Sequence, residues 1–236
     1  MTSLYIVPTP IGNLKDITYR AIEVLKNVDL ILAEDTRNSL KLLKFYEIKT
    51  SCESFHMHNE HSKLNYFIDK IKSGMVLALI SDAGTPGISD PGYLLIREVV
   101  SNNYLIECLP GATAIIPSIV QSGFPIDKFV FEGFLPLKKS RKKRLEFLSE
   151  EKRSLVIFES PHRIIKTLND LIPFFGRERK ISISRELTKI HEENFRGNLF
   201  EAISFIESKN PKGEFVICIA GKKQGINQLG SNKYFK

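Results

Sequence analysis

The chain has 236 residues, 42% hydrophobic and 26% charged, with a net charge of +7. That is ordinary for a soluble globular protein and supplies chain for one large domain or two smaller ones, each with a core. No apolar run approaches the roughly 18 residues of a membrane span, and "MTSLYIVPTP" lacks the basic region and long apolar stretch of a secretory signal.

Taken in chain order, apolar runs of strand length alternate with helical patterns. A strand at 4–7 precedes a helix at 18–28, with Ala21, Ile22, Val24, Leu25 and Val28 on one face. A buried strand at 29–34 and a helix at 39–46 follow, then a helix at 61–74 closed by Gly74 and a strand at 75–80. The loop "SDAGTPGISDPG" (81–92) ends in Asp90 and Pro91, which predict an N-cap and first-turn pair for the next helix. Strand 105–109, the turn "PGATA" and a helix to about Gln121 complete the first half. The second half repeats the alternation. It has strand "FVFEGF", helix 139–150, strand 154–160, a helix from 161 to 174 opened by Ser160-Pro161, strand 180–187, helix 198–208 and strand 213–220. The last residues, "QGINQLGSNKYFK", read as frayed.

This pattern predicts an α/β protein whose sheets carry parallel pairs covered on both faces. "SGFPIDKF" (122–129) reads as a linker, giving an N-terminal α/β domain at 1–124 and a C-terminal α/β domain at 125–236. Charge divides there too: the first segment has 11 Lys and Arg against 13 Asp and Glu, the second 23 against 14. The basic excess lies wholly in the second half, as for a surface that meets a polyanion. Cys52, Cys108 and Cys218 form no CxxC pair and suit a reducing cytoplasm, with Cys108 and Cys218 read as small core hydrophobes.

Four segments have the composition of ligand loops at strand ends: "PTPIGNL" (8–14), 81–92, "LPGATA" (109–114) and "SRELTK" (184–189). None carries a P-loop lysine or spells GxGxxG, so a nucleotide polyphosphate is poorly supported. Asp82, just past a strand, would repel phosphates and suits a ligand with a cationic end and a ribose or amine, such as S-adenosylmethionine. The plain alternative is that the glycines and prolines only turn the chain.

"LYIVPTPIGNLKDITYRAIEVLKNVDLILAEDTR", "ALISDAGTPGISDPGYLLIRE", "LPGATA", "FEGFLP", "FESPHRI" and "RELTKIHEENFRG" resemble, in order, the ribosomal RNA small-subunit methyltransferase I family of the tetrapyrrole methylase superfamily, over roughly residues 3 to 220. The resemblance implies a dimeric, cytoplasmic methyltransferase of two α/β domains with S-adenosylmethionine in an inter-domain cleft. Its substrate would be a cytidine 2′-hydroxyl in the decoding region of small-subunit ribosomal RNA, in a ribosomal particle. Many relatives continue into an extra C-terminal segment that this chain, ending soon after "CIAGKK", departs from.

Pro8, Asp82, Ala83, Gly84, Thr85, Thr113 and Ala114 match the family's cofactor positions, and Leu187 and Thr188 match positions where the second domain closes over it. Glu34, Asp35, Glu186 and Lys189 are the candidates for a base or for orienting the hydroxyl, Lys189 as base only with a depressed pKa. Arg37, Arg163 and Arg185 are candidate substrate contacts, although an internal Asp35–Arg37 ion pair explains "AEDTR" equally well. The run "KKSRKKR" predicts a phosphate-binding patch of Lys138, Lys139, Arg141, Lys142, Lys143 and Arg144, since positive charge at a helix N-terminus opposes the macrodipole. His56, His58 and His61 tempt a metal assignment, but no acidic or cysteine partner follows at a telling spacing and methyl transfer needs no metal. Rival readings are a tetrapyrrole-precursor C-methyltransferase and a non-catalytic RNA-binding module.

Overall fold

A computed structural model describes residues 2–209 and 211–222; the "QGINQLGSNKYFK" tail lies outside them. The chain forms two compact units, the first ending at Ala114 and the second beginning at Ile115. Among the described residues no helix is long and apolar enough to cross a membrane.

In the first unit five strands, β1 (Leu4–Ile6), β2 (Leu30–Ala33), β3 (Cys52–Ser54), β4 (Leu77–Ile80) and β5 (Ile106–Cys108), form one parallel sheet in the order β3-β2-β4-β1-β5. Strand side chains alternate between faces, so an all-apolar strand such as β2 feeds two cores at once. Leu30 and Leu32 pack with Phe67, Ile68 and Ile71 of α3 (Glu60–Lys72) and with Leu95 and Val99 of α4 (Tyr93–Ser101). Ile31 and Ala33 face Ala21 and Leu25 of α1 (Tyr19–Asn27) and Leu43 of α2 (Thr36–Phe45). Each such fully buried Leu or Ile contributes about 1.5–3 kcal/mol. The helix starts obey local chemistry: Thr18 caps α1 and Asp35 caps α2 through side-chain bonds to the first-turn amides. The expected Asp90-Pro91 cap is displaced, because α4 begins only after Gly92, whose φ of 124° suits glycine alone.

The second unit holds β6 (Phe129–Phe134), β7 (Ser154–Glu159), β8 (Lys180–Arg185), β9 (Glu193–Asn198) and β10 (Phe215–Ile219) in the order β6-β7-β10-β8-β9. Only β6 and β7 are parallel, so the repeat of a parallel alternation expected here gives way to a mainly antiparallel sheet. One face carries α6 (Arg141–Ser149), α7 (Ile164–Phe175) and α8 (Leu199–Glu207), whose Leu145, Leu148, Leu168, Leu171 and Ala202 meet Leu155, Ile157, Ile183 and Ile217. α7 starts three residues later than Ser160-Pro161 predicts, after a turn in which the Ser160 carbonyl accepts the Arg163 and Ile164 amides. Helix α5 (Ile115–Ser122) packs on β10 and β8, so the units divide ahead of the 122–129 segment expected to link them. Cys218 is buried as expected, whereas Cys108 is exposed because β5 is an edge strand.

Candidate active site

Three of the four Gly/Pro loops gather at the carboxyl ends of the first sheet. β1, β4 and β5 are neighbours, so residues 7–14, 81–92 and 109–114 leave the sheet side by side. Thr9 and Gly84 exchange both backbone hydrogen bonds at 2.9 Å, and the Thr9 hydroxyl donates to the Ser81 carbonyl at 2.9 Å. Gly111 lies against the Pro8 ring so closely that any side chain at 111 would overlap it. Gly84 is different: its φ is +79°, and a Cβ there would find only Ile11 at 3.5 Å and the Ala112 carbonyl at 3.8 Å. The three loops thus form a braced cradle, in which Gly84 is pinned by its backbone bonds to Thr9 and already lies against Ile11 and the Ala112 carbonyl. Pro8 and Gly84 are buried, Ala83, Thr85, Thr113 and Ala114 half-buried, and Asp82 exposed. In open α/β sheets this end of the strands is where ligands bind.

Beside the cradle, the ends of β2 and β4 carry acid. Asp82 accepts from the Asp35 amide at 3.2 Å and the Asn38 side chain at 2.9 Å, so its carboxylate also braces the start of α2. Glu34 accepts from the Asp82 amide at 3.4 Å. Burial, helped by the Asp82 charge, pushes the Glu34 carboxyl above its ordinary value against the pull of that amide and of His56. His56, just past β3, has its Nδ1 buried with no hydrogen-bond partner. Asp35 and Arg37 form a bidentate pair at 3.0 and 2.6 Å, and the Arg37 hydrogen bond draws the Asp35 carboxyl down to about 2. Arg37 itself stands exposed at 87%. No three His, Cys, Asp or Glu side chains converge as metal ligands among the described residues.

The fourth loop follows β8. Glu186 and Thr188 hold positive φ of 52° and 64°, a conformation that costs a non-glycine residue energy and so demands support. The support is local. Glu186 accepts from the Glu214 amide at 2.9 Å and from Lys189 at 2.8 Å, while its side chain fills the space left by Gly213. Lys189 also donates to Glu214 at 3.1 Å, Glu192 accepts the Thr188 amide at 2.7 Å, and Leu187 is buried. Burial alone would lower Lys189, yet its bonds to Glu186 and Glu214 hold it above its ordinary value. A lysine held charged in this way is a poorer general base than a free one. Glu186 is the converse: burial raises it, but Lys189 and the Glu214 amide hold it low. Arg185 donates to the Lys212 carbonyl at 2.7 Å and is only half-buried.

The basic run divides in two. Lys138, Lys139, Lys142 and Lys143 are exposed. Arg141 is not a surface contact: it is 8% exposed and donates to Asp170 at 2.8 Å, Thr167 at 2.8 Å and the Pro136 carbonyl at 3.1 Å. Thr167 passes the chain on to buried Glu159 at 2.6 Å, and Arg163 turns inward to the Leu135 carbonyl at 2.8 Å and to Glu159 at 3.4 Å. The guanidinium of Arg163 is therefore spent on the fold as well. Arg144 lies between these cases, gripping Glu132 at 2.6 Å while still 40% exposed. Sequence reasoning missed this network of Glu159, Thr167 and Asp170. The signal was there, since Arg141, Leu145 and Leu148 recur at helical spacing on one face.

A parallel α/β sheet with Gly/Pro loops at its carboxyl ends, followed in the chain by a mainly antiparallel α/β unit, is a fold shared with tetrapyrrole methylases. The family model described as Tetrapyrrole (Corrin/Porphyrin) Methylases matches residues 3–203. Cobalt precorrin-4 methyltransferase, a cobalamin biosynthetic enzyme, superposes with a TM-score of 0.68, covering 92% of this chain and 94% of that one at 16% identity, a likeness of fold. Ribosomal RNA small subunit methyltransferase I of Synechocystis sp. is 48% identical over 222 residues, 94% of this chain and 80% of that protein. Its namesake from Thermotoga maritima is 46% identical over 223 residues, 94% of this chain and all of that protein. Within the tetrapyrrole methylases, this chain belongs to the ribosomal RNA small subunit methyltransferase I family.

Proposed function

We propose that the protein transfers a methyl group from S-adenosylmethionine to a cytidine 2′-hydroxyl in the decoding region of small-subunit ribosomal RNA. The observation that carries this reading is the braced cradle of loops 7–14, 81–92 and 109–114, in a chain 46–48% identical to relatives of that name. The residues suit the donor: Asp82 and Glu34, at the ends of β4 and β2 beside the cradle, offer acceptors for an ammonium or ribose hydroxyls. Bound S-adenosylmethionine supplies an electrophilic methyl carbon, so the protein's work is positioning, which can supply ~7–11 kcal/mol. The hydroxyl must lose its proton, and the raised Glu34 is better suited to accept it than Glu186, which is held ionised by its lysine. Lys189 then acts as a fixed cation, and the exposed lysines of the basic run meet phosphate.

RNA carrying 2′-deoxycytidine at the target tests the chemistry. It should bind, since phosphate contacts dominate affinity, but accept no label from a methyl-labelled donor. Label on its cytosine would refute the ribose assignment. Methyl transfer to a tetrapyrrole precursor, with none to small-subunit RNA, would favour the C-methyltransferase reading.

A further inference from the structure

The basic surface of the second unit has a feature that charge does not explain. Phe147, on the last turn of α6, is 65% exposed, although apolar residues on a helix beside a core usually face inward. One guanidinium lies against it. The Arg144 guanidinium carbon lies 5.1 Å from the Phe147 ring centroid, and Arg144 is itself clamped by both oxygens of Glu132. Glu132 is the extra residue where the β6 register against β7 shifts between Phe131 and Gly133, so the strand irregularity supplies the anchor for the clamp. Lys142 and Lys143 stand exposed on the same helix, and Lys138 and Lys139 just before it. The network from Arg141 to Asp170 and Thr167 ties the start of this helix to α7.

We propose that the Phe147 ring, held by Arg144, is a stacking platform for an unpaired RNA base, with Lys138, Lys139, Lys142 and Lys143 holding the adjoining phosphates. The inference deepens the functional reading, on which it rests, by naming the form of RNA the basic surface takes: single-stranded. Charge complementarity selects the occupant. Four exposed lysines on and just before the helix that carries the ring, Lys143 one turn from it, repel another basic surface and attract a polyanion, and bases bring the flat π-faces that an exposed ring and guanidinium accept. In duplex RNA those faces are already stacked, so the platform discriminates against paired RNA.

The test is fluorescence anisotropy with a short labelled single-stranded RNA and a duplex of the same sequence, on the full chain. Wild type should prefer the single strand. Phe147→Ala should weaken single-strand binding by about 5- to 100-fold without changing its salt slope. Phe147→Tyr should bind as wild type and Phe147→Leu as the alanine variant, since the ring rather than apolar bulk is required. Lys142→Gln with Lys143→Gln should lower the salt slope by ~0.7 for each phosphate no longer neutralised. Phe147→Ala or Phe147→Leu binding within twofold of wild type would overturn the proposal, as would equal wild-type affinity for the duplex. So would sedimentation showing that the weakened variants have merely lost self-association, which would make the ring an interface between copies. Methyl transfer by wild type to small-subunit RNA is measured alongside. Its failure would count against the functional reading, while oligonucleotide binding would still decide the platform.

Discussion

Arg141→Met separates the structural role of that arginine from the phosphate contact its neighbours suggest. The substitution keeps length and apolar stem but leaves Asp170, Thr167 and the Pro136 carbonyl without their shared donor. Stripping one partner from a fully buried ion pair costs ~3–5 kcal/mol. Here Asp170 is 33% exposed and water recovers part of its loss, so the Coulombic share is discounted. The hydroxyl and carbonyl lose bonds to a charged donor, bringing the total to about 2–4 kcal/mol. With a urea slope of ~1–3 kcal/mol/M, the unfolding midpoint should fall by roughly 0.7–4 M. Affinity for RNA measured well below that midpoint should keep the wild-type salt slope, whereas Lys142→Gln lowers it. A wild-type midpoint together with a reduced slope would refute the assignment and return Arg141 to the surface.

Asp82→Asn should weaken S-adenosylmethionine binding by ~1.5–3 kcal/mol in calorimetry, the worth of a hydrogen bond to charge, and wild-type affinity would remove the carboxylate from the donor site. Gly84→Val is the poorer probe, since a φ of +79° strains any side chain whether or not ligand is there. Glu34 has a folded pKa above 4.5, so its contribution to stability is full below the unfolded value and is lost as pH rises through the folded one. As the proton acceptor it should give kcat/KM an acidic limb above pH 4.5, and Glu34→Gln should abolish that limb and slow turnover ~10²–10⁴-fold. Gly213→Ala, at φ +91° and overlapping Glu186, should lower stability by about 1–3 kcal/mol in thermal unfolding, as a strained backbone residue does.

Most of the fold was legible because strands buried on both faces read as unbroken apolar runs: "LILA" and "LALI" could be little else. The two strands that escaped notice, β3 (Cys52–Ser54) and β9 (Glu193–Asn198), are both sheet edges. Their residues are mostly polar ("CES" in β3; Glu193, Asn194 and Arg196 in β9), so they carry no apolar signature, whereas the edge strand β6, "FVFEGF", keeps one. Parallel or antiparallel pairing in the second sheet was equally hidden, since local periodicity is the same for both. At the site, the cradle loops were visible through their Gly and Pro content, which backbone geometry demands. Charged residues were the weaker guide. Arg37, Arg141 and Arg163 look alike in the chain, yet the first lies on the surface against Asp35 and the other two are enclosed by partners distant in sequence. Helical spacing places Arg141 on the face of Leu145 and Leu148, but the partners that enclose it and Arg163 come from tertiary contacts that no short window contains.

The place of β10 bears on how the molecule is made. β10 sits at the centre of the second sheet, between β7 and β8, yet among the described residues it is the last strand to be synthesised. Until it emerges, β7 and β8 each present an unpaired, apolar edge where Ile157 and Ile183 will later flank Ile217. The first sheet needs nothing beyond β5 and closes while the rest is still being translated. Nascent chains stalled before Phe215 should therefore carry a finished first unit and a sticky, chaperone-dependent second one.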